Sequence, residues 1–141
     1  MLKKTGVNIM LFVFITTQIF IISCSPGTGG DNKGILMQTD RDFSAMSEKE
    51  GMFRAFIEYI DEDGVILRDN SYPDKGKESL EKRFEGKSDT TFVLTWEPLY
   101  EKISASGDLG YTYGIYANTD KLSGEVKKGT YVTIWLRQAD G

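Results

Sequence analysis

The 141-residue chain has no histidine, one cysteine and three prolines. The missing histidine excludes any histidine-based acid–base mechanism and any histidine metal site. A lone cysteine excludes an internal disulfide and a cysteine-built metal site, so the folded part stands on its core alone. Basic residues are outnumbered, 17 against 21 acidic, for a net charge of −4. Lys82-Arg83 and Lys127-Lys128 are isolated pairs on such a background, which excludes a phosphate-tracking surface and nucleic acid as a partner. There is no internal repeat. The single long apolar run, Ile9 to Ile22, is broken by Thr16, Thr17 and Gln18 and falls short of the roughly 20 residues a membrane span needs.

That run follows Met1-Leu2-Lys3-Lys4 and closes on Ile21-Ile22-Ser23-Cys24. A charged start, a short apolar stretch and a small residue before the cut are the layout of a secretory signal. A cysteine at that junction resembles the lipobox of bacterial lipoproteins. The resemblance implies that residues 1–23 are removed and that Cys24 is lipidated as the first mature residue, on a bacterial envelope membrane. The alternative is an uncut signal anchor with an incidental thiol. Cleavage would remove two lysines and no acid, leaving 15 basic and 21 acidic residues, a net −6. Ser25 to Gly34 is rich in glycine and small polar residues and buries too little to fold, so 24–34 reads as a flexible tether. Residues 35–141 are enough for one small domain.

Within it, 35–60 reads as helix, with Thr39-Asp40-Arg41-Asp42 as a possible start and a break at Gly51. Phe43 and Met46 share one face, and Ser47-Glu48-Lys49-Glu50 fits a capping box opening a second helix. Phe53, Phe56, Ile57 and Ile60 form one apolar stripe. Val65-Ile66-Leu67 reads as a short buried strand, Asn70–Lys77 as loop, and Lys77–Phe84 as a third helix. From Thr90 the period changes to two. Phe92, Leu94 and Trp96 face one way, and Leu99–Ser104 reads as a separate strand after Pro98. Ser106-Gly107-Asp108 turns the chain into a strand whose faces are Leu109, Tyr111, Tyr113, Ile115, Ala117 and Gly110, Thr112, Gly114, Tyr116. Thr119–Gly129 reads as a polar loop and Thr130–Arg137 as the last strand. Both faces of that strand are apolar or aromatic, and a sheet with one wet face alternates more cleanly. Helices on one side and a second copy of the chain on the other are expected, that is, a homodimer through the sheet.

Ala55 to Leu67, Leu94-Thr95-Trp96-Glu97-Pro98, Ser106 to Gly114 and Gly129 to Gly141 resemble the nuclear-transport-factor-2-like superfamily. That superfamily includes SnoaL-like cyclases and ketosteroid isomerases. The resemblance implies an α+β cone, also described as cystatin-like: N-terminal helices packed on a strongly bent antiparallel sheet, with an apolar pocket at the open end. It also implies one more strand beyond Gly141, whose absence would leave Thr130–Arg137 an exposed edge. Superfamily isomerases work through an aspartate base and oxyanion-holding donors, so carboxylates and phenols are the candidates here. Glu58, Asp63 and Glu97 are candidate carboxylates and Tyr59, Tyr111, Tyr113 and Tyr131 candidate hydrogen-bond donors, with Asp63, Glu58 and Tyr113 the candidate catalytic groups. Phe56, Tyr59, Trp96, Tyr111, Tyr113 and Trp135 are candidate ligand-binding residues. Plainer readings stand beside these: aromatics at such spacing pack cores, and Asp61-Glu62-Asp63 is a solvated helix end. No cofactor and no metal are expected. Three functions compete: a lipid-anchored domain binding a small apolar ligand, a cyclase- or isomerase-type enzyme using a carboxylate and a tyrosine, and an interaction domain filled by its own side chains.

Overall fold

The computed structural model describes residues 34–139. The expected signal, Cys24 and nearly all of the tether lie outside them. Three helices and five strands follow in the order α1 Ile35–Glu50, α2 Met52–Tyr59, β1 Val65–Ile66, β2 Asp74–Lys75, α3 Lys77–Phe84, β3 Phe92–Ile103, β4 Leu109–Asp120 and β5 Val126–Leu136. β3, β4 and β5 form one antiparallel sheet in that order, and β1 pairs with β2 in a separate two-stranded ribbon. This is the expected α+β plan of N-terminal helices on an antiparallel sheet.

Neither long-helix start is capped from its own sequence neighbourhood. α1 begins at Ile35, not at Thr39–Asp42, and Asp40 is fully buried in mid-helix. Its first turn is capped from the sheet instead: the Glu101 carboxylate accepts from the N–H groups of Gly34 and of Met37, the latter at 2.8 Å. Ser47 is likewise no cap of α2. It is buried on α1 and donates to the Leu94 carbonyl at 2.7 Å. The cap of α2 is Asp89, which accepts from the Phe53 N–H at 2.8 Å. Gly51, at φ 95°, joins the two helices, and a Cβ there would sit 2.8 Å from the Asp89 carboxylate. In both cases a carboxylate meets the positive end of a helix.

α1 docks on β3 through small side chains. Ser44 Oγ accepts from the Trp96 N–H at 2.8 Å, one register step from the Ser47–Leu94 bond. These two bonds satisfy backbone groups on the edge of β3 that no strand pairs. β4 gives the helix room with Gly110, Thr112 and Gly114, all buried, and a Cβ on Gly110 would strike Leu36. α2 buries Ala55 and stacks Phe53 on Phe84 of α3 at 4.0 Å.

Several sheet boundaries differ from the sequence expectation. β3 runs unbroken through Pro98, with a register shift between Pro98 and Tyr100. Pro98 sits on an edge strand, where its missing N–H costs no ladder bond, and the bulge absorbs it. Thr119–Gly129 is not one loop. β4 extends to Asp120 and β5 starts at Val126, because Val126 to Lys128 pair with Thr119 to Ala117 despite their polarity. Val65-Ile66-Leu67 is not buried: Val65 and Leu67 are 54% and 78% exposed, and the strand is two residues long. Its partner β2 lies inside the stretch read as loop.

Asp74 ties that ribbon to α3. It is buried and accepts from Arg68 Nε at 2.8 Å, while Arg83 Nε lies 2.6 Å from the same oxygen as an ion pair. Arg83 and then Arg68 hold the Asp74 carboxyl below the usual aspartate range. A carboxylate depressed on folding contributes stability that is present above its unfolded value of about 3.9 and lost as pH falls through the folded value. Asp74→Asn is therefore expected to flatten part of the loss of stability below about pH 4, in urea midpoints compared with those at neutral pH. Only part is expected to flatten, because Glu78, Asp108 and Asp120 are depressed as well. An unchanged acid limb would show that the Arg68–Asp74–Arg83 cluster does not couple to folding.

Candidate functional site

The sheet face under the helices carries the aromatic residues. Phe43 of α1 is buried at their centre. Its ring stacks on Tyr59 at 4.5 Å and meets Trp96 and Phe56 edge-on at 4.6 and 5.0 Å. Trp135 stands 6.5 Å from both Phe43 and Tyr59, and Tyr131 lies 6.2 Å from Trp96. Phe56, Tyr59, Trp96, Tyr131 and Trp135 are each half-buried, so the cluster presents ring surface to solvent.

Asp40 lies within this cluster. Its two oxygens accept from Trp96 Nε1 at 2.7 Å and Tyr131 Oη at 2.8 Å. The donors come from β3 and β5, the strands on either side of β4. Burial raises the Tyr131 phenol well above its usual pKa, and the hydrogen bond to Asp40 adds to the shift. Tyr59 is also raised, by burial and then by Asp42 and Glu58. Trp135 Nε1 donates to buried Thr112 Oγ1 at 2.9 Å.

The structure thus gathers Phe56, Tyr59, Trp96 and Trp135 and separates them from Tyr111 and Tyr113. Those two stand on the opposite face, where Tyr100 is 5.4 Å from Tyr113 and 6.2 Å from Tyr111. The candidate carboxylates are dispersed. Glu58 is exposed and pairs with Arg54. Glu97, 56% exposed, pairs with Arg41 at 3.1 Å. Asp63 is exposed and lines a polar surface depression of about 540 Å³ with Glu62, Lys75 and Lys82. A second depression, about 200 Å³, lies between the α1–α2 junction and the start of β3. Neither is lined by the aromatic cluster. Among the described residues no group of three or more cysteines, aspartates or glutamates is placed to hold a metal.

Asp40 was missed because Thr39-Asp40-Arg41-Asp42 looks like a helix start. A signal for it exists: Asp40, Phe43, Ser44 and Ser47 recur at i, i+3, i+4 and i+7, and all four are buried. A helix stripe that counts serine and aspartate as inward-facing would have found it.

No protein-family model matches the sequence, and no curated protein matches it either. Solved structures do. A ketosteroid isomerase-like protein from Erwinia carotovora atroseptica aligns with TM-score 0.56 at 17% identity, over 78% of this chain and 88% of that one. A Catenulispora acidiphila protein in complex with S-DNPA gives 0.55 at 18%, over 75% and 81%. A Mycobacterium tuberculosis protein in complex with estradiol-17β-hemisuccinate gives 0.53 at 14%, over 74% and 85%. At these identities the likeness establishes the fold, which is nuclear-transport-factor-2-like, and leaves activity to the site.

Removing Asp40 strands two donors. Asp40→Ala is expected to lower unfolding free energy by about 2–4 kcal/mol, since each unsatisfied buried donor costs about 1–3 kcal/mol. Tyr131→Phe leaves the buried carboxylate with one donor and is expected to cost about 1.5–3 kcal/mol, the worth of a hydrogen bond to a charged group. Urea denaturation of the three proteins checks this. An unchanged urea midpoint for either variant would mean that the Asp40–Tyr131 bond does not contribute to folding.

Proposed function

We propose that this chain is an envelope lipoprotein whose nuclear-transport-factor-2-like domain holds a small apolar ligand without transforming it. In this reading the signal is cut before Cys24, the thiol carries the lipid, and residues 24–34 tether the domain to the membrane. Each buried CH₂ of an acyl chain contributes about 0.8 kcal/mol, and stable anchoring takes more than one chain. The observation that carries the ligand reading is the half-open wall of Phe56, Tyr59, Trp96 and Trp135 around buried Phe43. Two of the similar structures hold small molecules. The isomerase alternative is less well supported. A general base must reach the proton it takes. Asp40 is fully buried with a donor on each oxygen, while Glu58, Asp63 and Glu97 stand in solvent.

A second reading, self-association, is favoured by the outer sheet face. Leu99, Tyr100, Leu109, Tyr111, Tyr113, Ile115, Val132, Ile134 and Leu136 are 36–70% exposed there. At about 150–200 Å² for a large side chain, these fractions amount to a patch of roughly 700–950 Å². That exceeds the roughly 300–600 Å² of a typical monomer's largest patch and is comparable to the ~800 Å² each partner contributes to a stable interface. A homodimer through this face is compatible with ligand holding on the other.

Three measurements test these readings. A clickable fatty acid is expected to label the wild type and not Cys24→Ala; equal labelling would remove the anchor. Native mass spectrometry is expected to find a retained small molecule that Trp135→Ala loses and Tyr113→Ala keeps. The reverse pattern would move the site to the outer face, and an empty wild type would end the ligand reading. Light scattering at micromolar concentration is expected to give a dimer that Ile134→Glu converts to monomer, and a monomeric wild type would refute the dimer.

A further inference from the structure

Both indole N–H groups of the aromatic wall, and the Tyr131 hydroxyl beside them, already have internal acceptors; among the described residues the Tyr59 hydroxyl alone of the wall's donors has none. Trp96 Nε1 and Tyr131 Oη give their hydrogens to Asp40, and Trp135 Nε1 gives its hydrogen to Thr112. An incoming carboxylate, enolate or carbonyl would find one phenol, Tyr59, and would have to break one of those bonds to gain a second donor. What the wall leaves to solvent is part of each half-buried ring, whose faces carry the negative side of the aromatic quadrupole, and the lone pairs of Tyr131.

The charges around it point the same way. Asp40 and Glu97 act on Tyr131, and Asp42 and Glu58 act on Tyr59. Against these four carboxylates stand Arg41, paired with Glu97, and Arg54, paired with Glu58. Among the described residues no salt bridge reaches Asp40 or Asp42. A fully buried carboxylate without a cationic partner is costly, and aromatic faces attract a desolvated cation.

We infer that the wall takes an organic cation, a small molecule with an apolar body and a protonated amine or quaternary ammonium head. The inference rests on the ligand-holding reading above and names its chemical class. The cation lies on the ring faces and compensates Asp40 through space, with Tyr131 Oη free to accept from an N–H.

The chain's two tryptophans both stand in the cluster, so intrinsic fluorescence reports on it. The full chain in neutral detergent is titrated with benzyltrimethylammonium, benzyl alcohol and phenylacetate. The cation is expected to bind at least about tenfold more tightly than either other compound, with the preference shrinking as salt rises. Asp40→Asn is expected to abolish the preference. Should that variant not fold, Glu97→Gln, at an exposed site, is expected to change it about two- to threefold, by leaving Arg41 unpaired beside Tyr131 and so weakening the cation. Equal binding of the three compounds, or preference for phenylacetate, overturns the cation inference and leaves the ligand reading standing. Binding of none overturns the inference too, and the retained-ligand measurement then decides the broader reading separately.

Discussion

One carboxylate joins the helical layer to both outer strands of the sheet. Asp40 lies on α1, Trp96 on β3 and Tyr131 on β5, and the two hydrogen bonds span the width of β4. Burying a charge costs several kcal/mol. Hydrogen bonds to a charged acceptor return about 1.5–3 kcal/mol each. The arrangement therefore holds only with both donors in place, which sets the position of β3 and β5 relative to a single turn of α1. β4 must then be thin on this side, and it is: Gly110, Thr112 and Gly114 face the helix. Tyr131 pairs in register with Gly114, and Trp135 with Gly110, so each large ring lies beside a position that has no side chain.

The same close approach explains the serines. Ser44 and Ser47 are indifferent helix formers, since their hydroxyls compete for backbone groups. On α1 they do this productively, bonding the Trp96 N–H and the Leu94 carbonyl on the unpaired edge of β3. With Pro98 lacking an N–H and a bulge beside it, that edge offers little for another strand to pair with. β5 is different. From Gly129 to Leu136 it carries no charge, proline or bulge, and its outward side chains are mostly exposed. The exposed apolar side chains of the outer face are thus mostly those of β4 and β5.

The parts of this plan that were legible in the sequence are those governed by local rules. Lys77–Phe84 reads as a helix because its apolar residues and flanking glycines lie within one window. The β4 alternation is equally plain, since period two needs only neighbours. The caps were not legible, because Asp89 and Glu101 reach helix starts 36 and 64 residues away. Local look-alikes filled the gap: a Thr-Asp start and a Ser-x-x-Glu box, both in positions the tertiary structure uses otherwise. For the site, four aromatics were visible as large inward residues. Their separation from Tyr111 and Tyr113 depends on which face of the sheet the helices cover, and both faces of that strand pair look apolar. Asp40 was hidden because a buried acid cannot be told from a cap until its donors, 56 and 91 residues on, are in place.

A fold of this kind does not dictate what its interior does; the direction of the hydrogen bonds inside it does. An oxyanion site needs donors whose hydrogens point at the ligand and have no partner before it arrives. Here both indole hydrogens and the Tyr131 hydroxyl hydrogen are directed at Asp40 and Thr112, which leaves the Tyr59 hydroxyl, among the described residues, as the one uncommitted donor of the cluster. A ligand competing for them would have to beat a bond to a buried carboxylate, with that carboxylate then left unsatisfied. With a single uncommitted phenol, the cluster offers mainly aromatic surface and negative potential rather than the paired donors an oxyanion site presents. Asp40 thus both fastens the sheet to the helix and sets the polarity of the wall. Reversing that polarity would require freeing the donors, and the same change would loosen the contacts that hold β3 and β5 against α1.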